Sequence, residues 1–277
     1  MKKVLVPIDF STSSEHASKL ASKIARGTDS EVHLLHMIEL PKGVMDMANK
    51  GRPSIPAHVL YIKKTKELLE NYKEKFFSRN KEVTYSIRFE SPSEGILNYN
   101  KLINADLIVM GSKGHSEIEE LLIGSNTNKI IQTSKTPVLI IKKDESNFRL
   151  RNLVFASDFK ESENKNEPLD KLINFAERFK STFHLLKINT PSKFENTQLS
   201  KAKMENFAKK YNLPDYTVNS QNDSSIEEGI LNFSKEVSGD IIALEAQGRS
   251  LLSHLLNRSV TKHISQTALH PVIIFKT

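Results

Sequence analysis

Short runs of Val, Ile and Leu recur along the chain and alternate with longer stretches in which apolar residues return every three or four positions. The first run, in VLVPIDFS (Val4 to Ser11), is too short and continuous for a helix and reads as a buried strand. Beyond it, Ala17, Leu20, Ala21, Ile24 and Ala25 mark one face of a helix. Thr12 and Glu15 stand at the spacing of a capping box, and Gly27 is placed to stop that helix. HLLHM (His33 to Met37), DLIVM (Asp106 to Met110) and PVLIIK (Pro137 to Lys142) read as further strands, whereas PKGVMDMANKGRPSIPAH (Pro41 to His58) has Pro and Gly breakers, little periodicity and the character of a long loop.

The same blocks then return in the same order. VLVPIDFS is matched by LVFASDFK (Leu153 to Lys160), with Asp9 against Asp158 and Phe10 against Phe159. HLLHM is matched by HLLKI (His184 to Ile188), EGIL (Glu94 to Leu97) by EGIL (Glu228 to Leu231), DLIVM by DIIAL (Asp240 to Leu244), and PVLIIK by PVIIFK (Pro271 to Lys276). This is a duplication. It divides the chain in the polar stretch near Glu145 to Arg149, giving units 1–146 and 147–277. Each unit reads strand, helix, strand, loop plus helix, strand, helix, strand, helix, strand. That alternation predicts an α/β fold of two tandem, doubly wound, five-stranded parallel-sheet domains. Ligands of such sheets sit beyond the C-terminal strand ends, where the strand order switches, which directs attention to Asp9 and to the residues just beyond Met37 and Met110.

Composition narrows the options. A length of 277 residues suits two domains, and no stretch approaches the roughly 18 uninterrupted apolar residues of a membrane span. The opening MKKVLVPIDF reads as a first strand rather than a signal peptide. Zero cysteines remove disulfides, thiolate metal sites and cysteine nucleophiles, and fit a cytoplasmic protein. The net charge of +7 raises a nucleic-acid reading, but the basic runs are pairs such as Lys63-Lys64, Lys142-Lys143 and Lys209-Lys210 with acids nearby, so no nucleic-acid or membrane partner is expected.

The chemistry-bearing segment comes after DLIVM: GSKGHSEIEELLIGSN holds Gly111, Gly114 and Gly124 in the spacing G-x2-G-x9-G, with Ser125 next in the chain. Gly114 permits a tight turn, and Gly124-Ser125-Asn126 opens a helix containing Ile130 and Ile131, whose N-terminal N–H groups form a natural phosphate site. Lys113 reads equally as a phosphate contact or a solvated side chain, and His115 as a phosphate contact or a surface histidine. His33 and His36, at odd spacing on a strand, point to opposite faces and do not make a metal pair. Neither a P-loop nor a G-x-S-x-G elbow is present, and no residue stands out as a general base for activating water.

On these residues both units resemble universal stress protein domains. ATP-binding members of that family share G-x2-G-x9-G-(S/T), matched here at Gly111, Gly114, Gly124 and Ser125, and an opening strand ending Pro-x-Asp, matched at Pro7, Ile8 and Asp9. The resemblance implies that the glycine segment with Ser112, Ser125 and Asn126 holds phosphates and ribose, that Asp9 approaches ribose or base, and that the main chain near Met37 lines an adenine pocket. It further implies ATP or another adenine nucleotide with Mg²⁺ held mainly through the phosphates, at most a slow ATPase activity, and pairing of the two units through Val138 to Lys142 and Val272 to Lys276, with room for a further homodimer. Glu90 departs from the pattern, standing where relatives often carry Gly. In the second unit Glu245, Gly248, Arg258 and Ser259 take the motif positions, and Ala156 and Ser157 replace Pro7 and Ile8, so a largely lost nucleotide site is expected there.

Overall fold

The computed structural model describes residues 1–38, 57–112, 123–144, 148–159, 167–246, 264–265, 267–268 and 270–276. The first half runs β1 (Lys3–Ile8), α1 (Thr12–Thr28), β2 (Glu31–Met37), α2 (Ala57–Phe77), β3 (Val83–Arg88), α3 (Pro92–Ile103), β4 (Leu107–Gly111), α4 (Ser125–Thr133) and β5 (Val138–Ile141). The second runs β6 (Asn152–Ala156), α5 (Glu167–Arg178), β7 (Thr182–Asn189), α6 (Thr197–Lys210), β8 (Tyr216–Asn222), α7 (Ile226–Glu236), β9 (Ile241–Ala246) and β10 (Val272–Lys276).

The strands form one ten-stranded sheet in the order β3-β2-β1-β4-β5-β10-β9-β6-β7-β8. Within each half every neighbouring pair is parallel, in the doubly wound order that the alternation of elements predicts. The exception is the seam, where β5 and β10 run antiparallel with Ile140 opposite Val272, Leu139 opposite Ile273 and Val138 opposite Ile274. Helices cover both faces, which is why the central strands are apolar at consecutive positions. Val4, Val6 and Ile8 join a core with α1 and α2, whereas Leu5 joins the core on the other face with Ile96 and Tyr99 of α3 and Ile130 of α4. Each of these layers continues across the seam into the second half. At roughly 1.5–3 kcal/mol for each fully buried large apolar side chain, they supply the main favourable term in folding.

Backbone geometry repeats with the sequence. Positive φ occurs at Phe10 (63°) and Phe159 (49°), at Asp29 (53°) and Lys180 (54°), and at Asn104 (51°) and Ser238 (51°), three matched pairs across the duplication. For a bulky residue such as Phe this conformation is costly, and it recurs because the chain must reverse between the first strand and the first helix of each half.

Two local readings need correction. The cap of α1 is Ser11 rather than Thr12: the turn at Phe10 leaves Ser11 extended, with its side chain accepting the Ser14 N–H, and Thr12 is already helical. Glu15 pairs instead with Lys75 at 2.9 Å. Nor does Gly27 end the helix, which runs one residue further to a left-handed cap at Asp29. Gly27 is small for another reason: a Cβ there would lie 2.6 Å from the ring of Phe179, in the second half. The long loop read at Pro41 to His58 falls outside the described residues except at its end, where α2 has begun at Ala57. Among the described residues no helix is long and apolar enough to cross a membrane.

Candidate functional site

In the order β3-β2-β1-β4-β5 the chain winds outward from β1 in both directions, so the switch point lies between β1 and β4. Val4 pairs with Leu107 and Leu5 with Ile108. Extending that register sets Ile8 level with Gly111 and Asp9 level with Ser112. Pro7 and Ile8 pair with Leu35 and His36 on the opposite side, and Met37 ends β2. The topology thus gathers Pro7, Ile8, Asp9, Met37, Gly111 and Ser112 at one edge of the sheet.

The start of α4 is tied to that edge. The Gly124 N–H donates to Ser112 O at 2.7 Å, the Ser112 N–H to Ile141 O at 2.9 Å, and Thr127 Oγ1 to Gly111 O at 3.1 Å. Gly124 is the N-cap with no side-chain cap bond, and the first turn of α4 contains no acidic residue. Ser125 and Asn126 are exposed on that turn, where the opening N–H groups of a helix have no intrahelical acceptor. Gly114, His115 and Lys113 lie outside the described residues.

Several of these residues also serve the fold. Asp9 Oδ1 accepts from the Ser11 N–H (3.0 Å) and Ser11 Oγ (2.6 Å), bracing the cap of α1. A Cβ on Gly111 would stand 2.6–2.7 Å from Cβ, C and O of Ser13, so the absence of a side chain there admits the first turn of α1. Met37 lies across Gly95, where a Cβ would collide with its methyl carbon. Glu90, the departure from the family pattern, is turned to Asn98 of α3, which donates to it at 2.7 Å.

Sequence reasoning left His36 out of this group, and the structure brings it in. Its Nδ1 lies 2.8 Å from Ile8 O, so that nitrogen carries the proton, and its ring packs 4.8 Å from that of Phe10. Burial pushes its pKa below the ordinary value, partly opposed by the bond to Ile8 O and by the charge of Asp9. Behind Phe10, Tyr72 bonds Ser18 at 3.0 Å, and burial raises its hydroxyl pKa to about 12. The available signal was position: His36 is one residue before Met37, on the strand beside β1. His33 faces elsewhere, bonded to Glu31 and Thr84.

The second half presents a different edge. Lys187 takes the place of His36 and makes a 3.1 Å ion pair with Asp158, their side chains 9% and 7% exposed. Ser157 Oγ donates to Glu245 Oε2 at 2.9 Å, linking the ends of β6 and β9 across the corresponding switch point. At the end of β7, Asn189 bonds both the N–H and the carbonyl oxygen of Glu195. Gly248, Arg258 and Ser259 are outside the described residues. Among those described, no group of three or more His, Asp or Glu side chains is set to hold a metal ion.

The doubly wound parallel sheet, with Gly124 brought back to Ser112 at the end of β4, is a Rossmann-like α/β architecture. Residues 1–142 match the universal stress protein family, and the chain belongs to it. It is 32% identical over 146 residues to a universal stress protein of Bacillus subtilis (strain 168), covering 50% of this chain and 98% of that one. It is 29% identical over 148 residues to one from Methanocaldococcus jannaschii, covering 51% and 82%. Each of these relatives therefore corresponds to about half of the chain. The crystal structure of a universal stress protein from Archaeoglobus fulgidus matches the whole fold, with a TM-score of 0.73, 20% identity and coverage of 99% and 98%.

Proposed function

We propose that the first unit, residues 1–146, binds ATP at the β1/β4 switch point, and that the chain acts as a nucleotide-responsive stress or regulatory protein. The observation that carries this reading is the Gly124 N–H to Ser112 O bond at 2.7 Å, which holds the start of α4 against the end of β4. A helix N-terminus so held offers backbone donors and a favourable dipole to phosphate. In this assignment Gly111, Ser112, Gly114, His115, Gly124, Ser125 and Asn126 meet phosphates and ribose, Asp9 meets ribose or base, and Pro7, Ile8 and the main chain at Met37 border the adenine. An acid-free first turn suits phosphate oxygens, and Mg²⁺ would arrive on them rather than in a carboxylate cage. The second unit, residues 147–277, is assigned a structural or regulatory role, because Glu245 bridges to Ser157 and Lys187 is committed to Asp158. The antiparallel register of β5 and β10 supports treating the two units as an intramolecular pair.

A second reading, an interaction scaffold indifferent to nucleotide, is favoured by the structural duties of Gly111 and Asp9. Mass spectrometry of nucleotide released from freshly purified protein, with ATP titration of the wild type and Gly124→Arg, separates the two. Adenine nucleotide near one per chain, or micromolar ATP binding lost in the variant, is the expected result. A folded wild type with neither would transfer the assignment to the scaffold. Phosphate release with Mg²⁺, measured on the same preparations, then decides whether the bound ATP turns over.

A further inference from the structure

We infer that the groove where the two halves meet, at the opposite end of the sheet from the switch points, binds a compact polyphosphate anion. Four cations converge there: Lys23 and Arg26 from the last turns of α1, and Arg149 and Arg151 from the segment that leads into β6. Phe148 and Phe179, both partly buried, complete its walls, and the groove, which opens to solvent, has a volume of about 560 Å³. No described lining residue is acidic. Of the neighbouring carboxylates, Asp144 binds Lys19 at 2.5 Å and also feels the charge of Lys23, and Asp240 accepts the backbone N–H groups of Arg151 and Asn152 at 2.8 and 2.9 Å, so the guanidinium groups of Arg26, Arg149 and Arg151 carry the inference.

Helix electrostatics explain part of this cluster without a ligand. Arg26 sits in the last turn of α1, where a cation complements the carbonyl end of the helix, and it donates to Ser22 Oγ at 3.3 Å. That argument does not reach Arg149 and Arg151, which precede a strand, belong to the other half and are exposed. Guanidinium forks suit phosphate oxygens in pairs, and an apolar wall on one side strengthens each contact relative to open water.

The charge pattern also sets the size of the ligand. An adjoining cavity shares Arg26 but mixes Lys2, Arg79 and Lys81 with Asp29, Glu31 and Glu82, and Lys81 is paired with Asp29 at 2.7 Å. Acidic side chains interrupt the positive surface on that side, so the groove suits a short chain of phosphates better than a long nucleic-acid strand. The 17 residues of α1 separate it from the switch point by about 25 Å, which makes it a site distinct from the ATP site.

The test is calorimetric titration of inorganic tripolyphosphate into the wild type, Arg149→Glu/Arg151→Glu and Gly124→Arg, with urea midpoints confirming that each is folded. Should the charge reversal unfold the protein, Arg149→Gln/Arg151→Gln replaces it. The expected result is wild-type binding that weakens at least about tenfold in the double variant, persists in Gly124→Arg and tightens as salt falls from about 200 to 50 mM. Absent wild-type binding, equal binding by the double variant, or loss only in Gly124→Arg would overturn the inference. So would a single-stranded oligonucleotide that binds the groove more tightly than tripolyphosphate.

Discussion

Replacing Lys187 with Met keeps the length and most of the volume of the side chain while deleting its charge. The carboxylate of Asp158, 7% exposed, then loses the ammonium 3.1 Å away that compensates its transfer out of water. Breaking one side of a buried pair costs about 3–5 kcal/mol, far more than the Coulombic worth of a surface pair. At about 2–4 °C per kcal/mol for a domain of 150–250 residues, the loss corresponds to a fall in Tm of roughly 6–20 °C. Lys187→Met/Asp158→Asn removes both charges and is expected to recover at least about 2 kcal/mol of the loss. Lys129→Met, which breaks a pair with Glu94 whose side chains are 52% and 64% exposed, serves as the control and should cost about 0–1 kcal/mol. Urea unfolding followed by circular dichroism, with calorimetry for Tm, reads all three. A Lys187→Met protein within about 1 kcal/mol of the wild type, or a double variant worse than the single one, would refute the reasoning that this pair is the buried brace of the second half's switch point.

The site geometry leads to two further outcomes. Gly111→Ala forces a methyl group against the backbone of Ser13 and should lower stability by about 1–3 kcal/mol in the absence of any nucleotide, measured by urea midpoint; an unchanged midpoint would mean that the glycine serves ligand approach alone. Burial holds the pKa of His36 and His184 below the ordinary 6.5, so the unfolded chain takes up protons first as pH falls. The stability these histidines contribute is therefore complete above about 6.5 and is lost as pH drops through that value towards their folded pKa, and His36→Gln should flatten the decline in urea midpoint between about pH 7.5 and 5.5.

The topology was readable because duplication shows each element twice. Block order and the alternation of apolar runs with helical periods lead directly to the doubly wound order, and the glycine spacing leads to the edge where β1 and β4 end. What escaped the sequence was set by partners distant along the chain. Thr12 and Gly27 look like helix punctuation, yet the turn at Phe10 moves the cap to Ser11, and the ring of Phe179 accounts for Gly27. His36 and Lys187 read as ordinary strand residues until the sheet sets them beside Ile8 and Asp158. The basic groove contains no basic run at all, because its four cations come from segments more than a hundred residues apart.

The contact between Gly27 and Phe179 makes the tie between the halves one of shape as well as of sheet. A Cβ at position 27 would lie 2.6 Å from the ring of Phe179, so the last turn of α1 and the residue that follows α5 share a space that either side chain could fill but not both without a shift. The first copy thereby carries, in a missing methyl group, a feature whose reason is found only in the second.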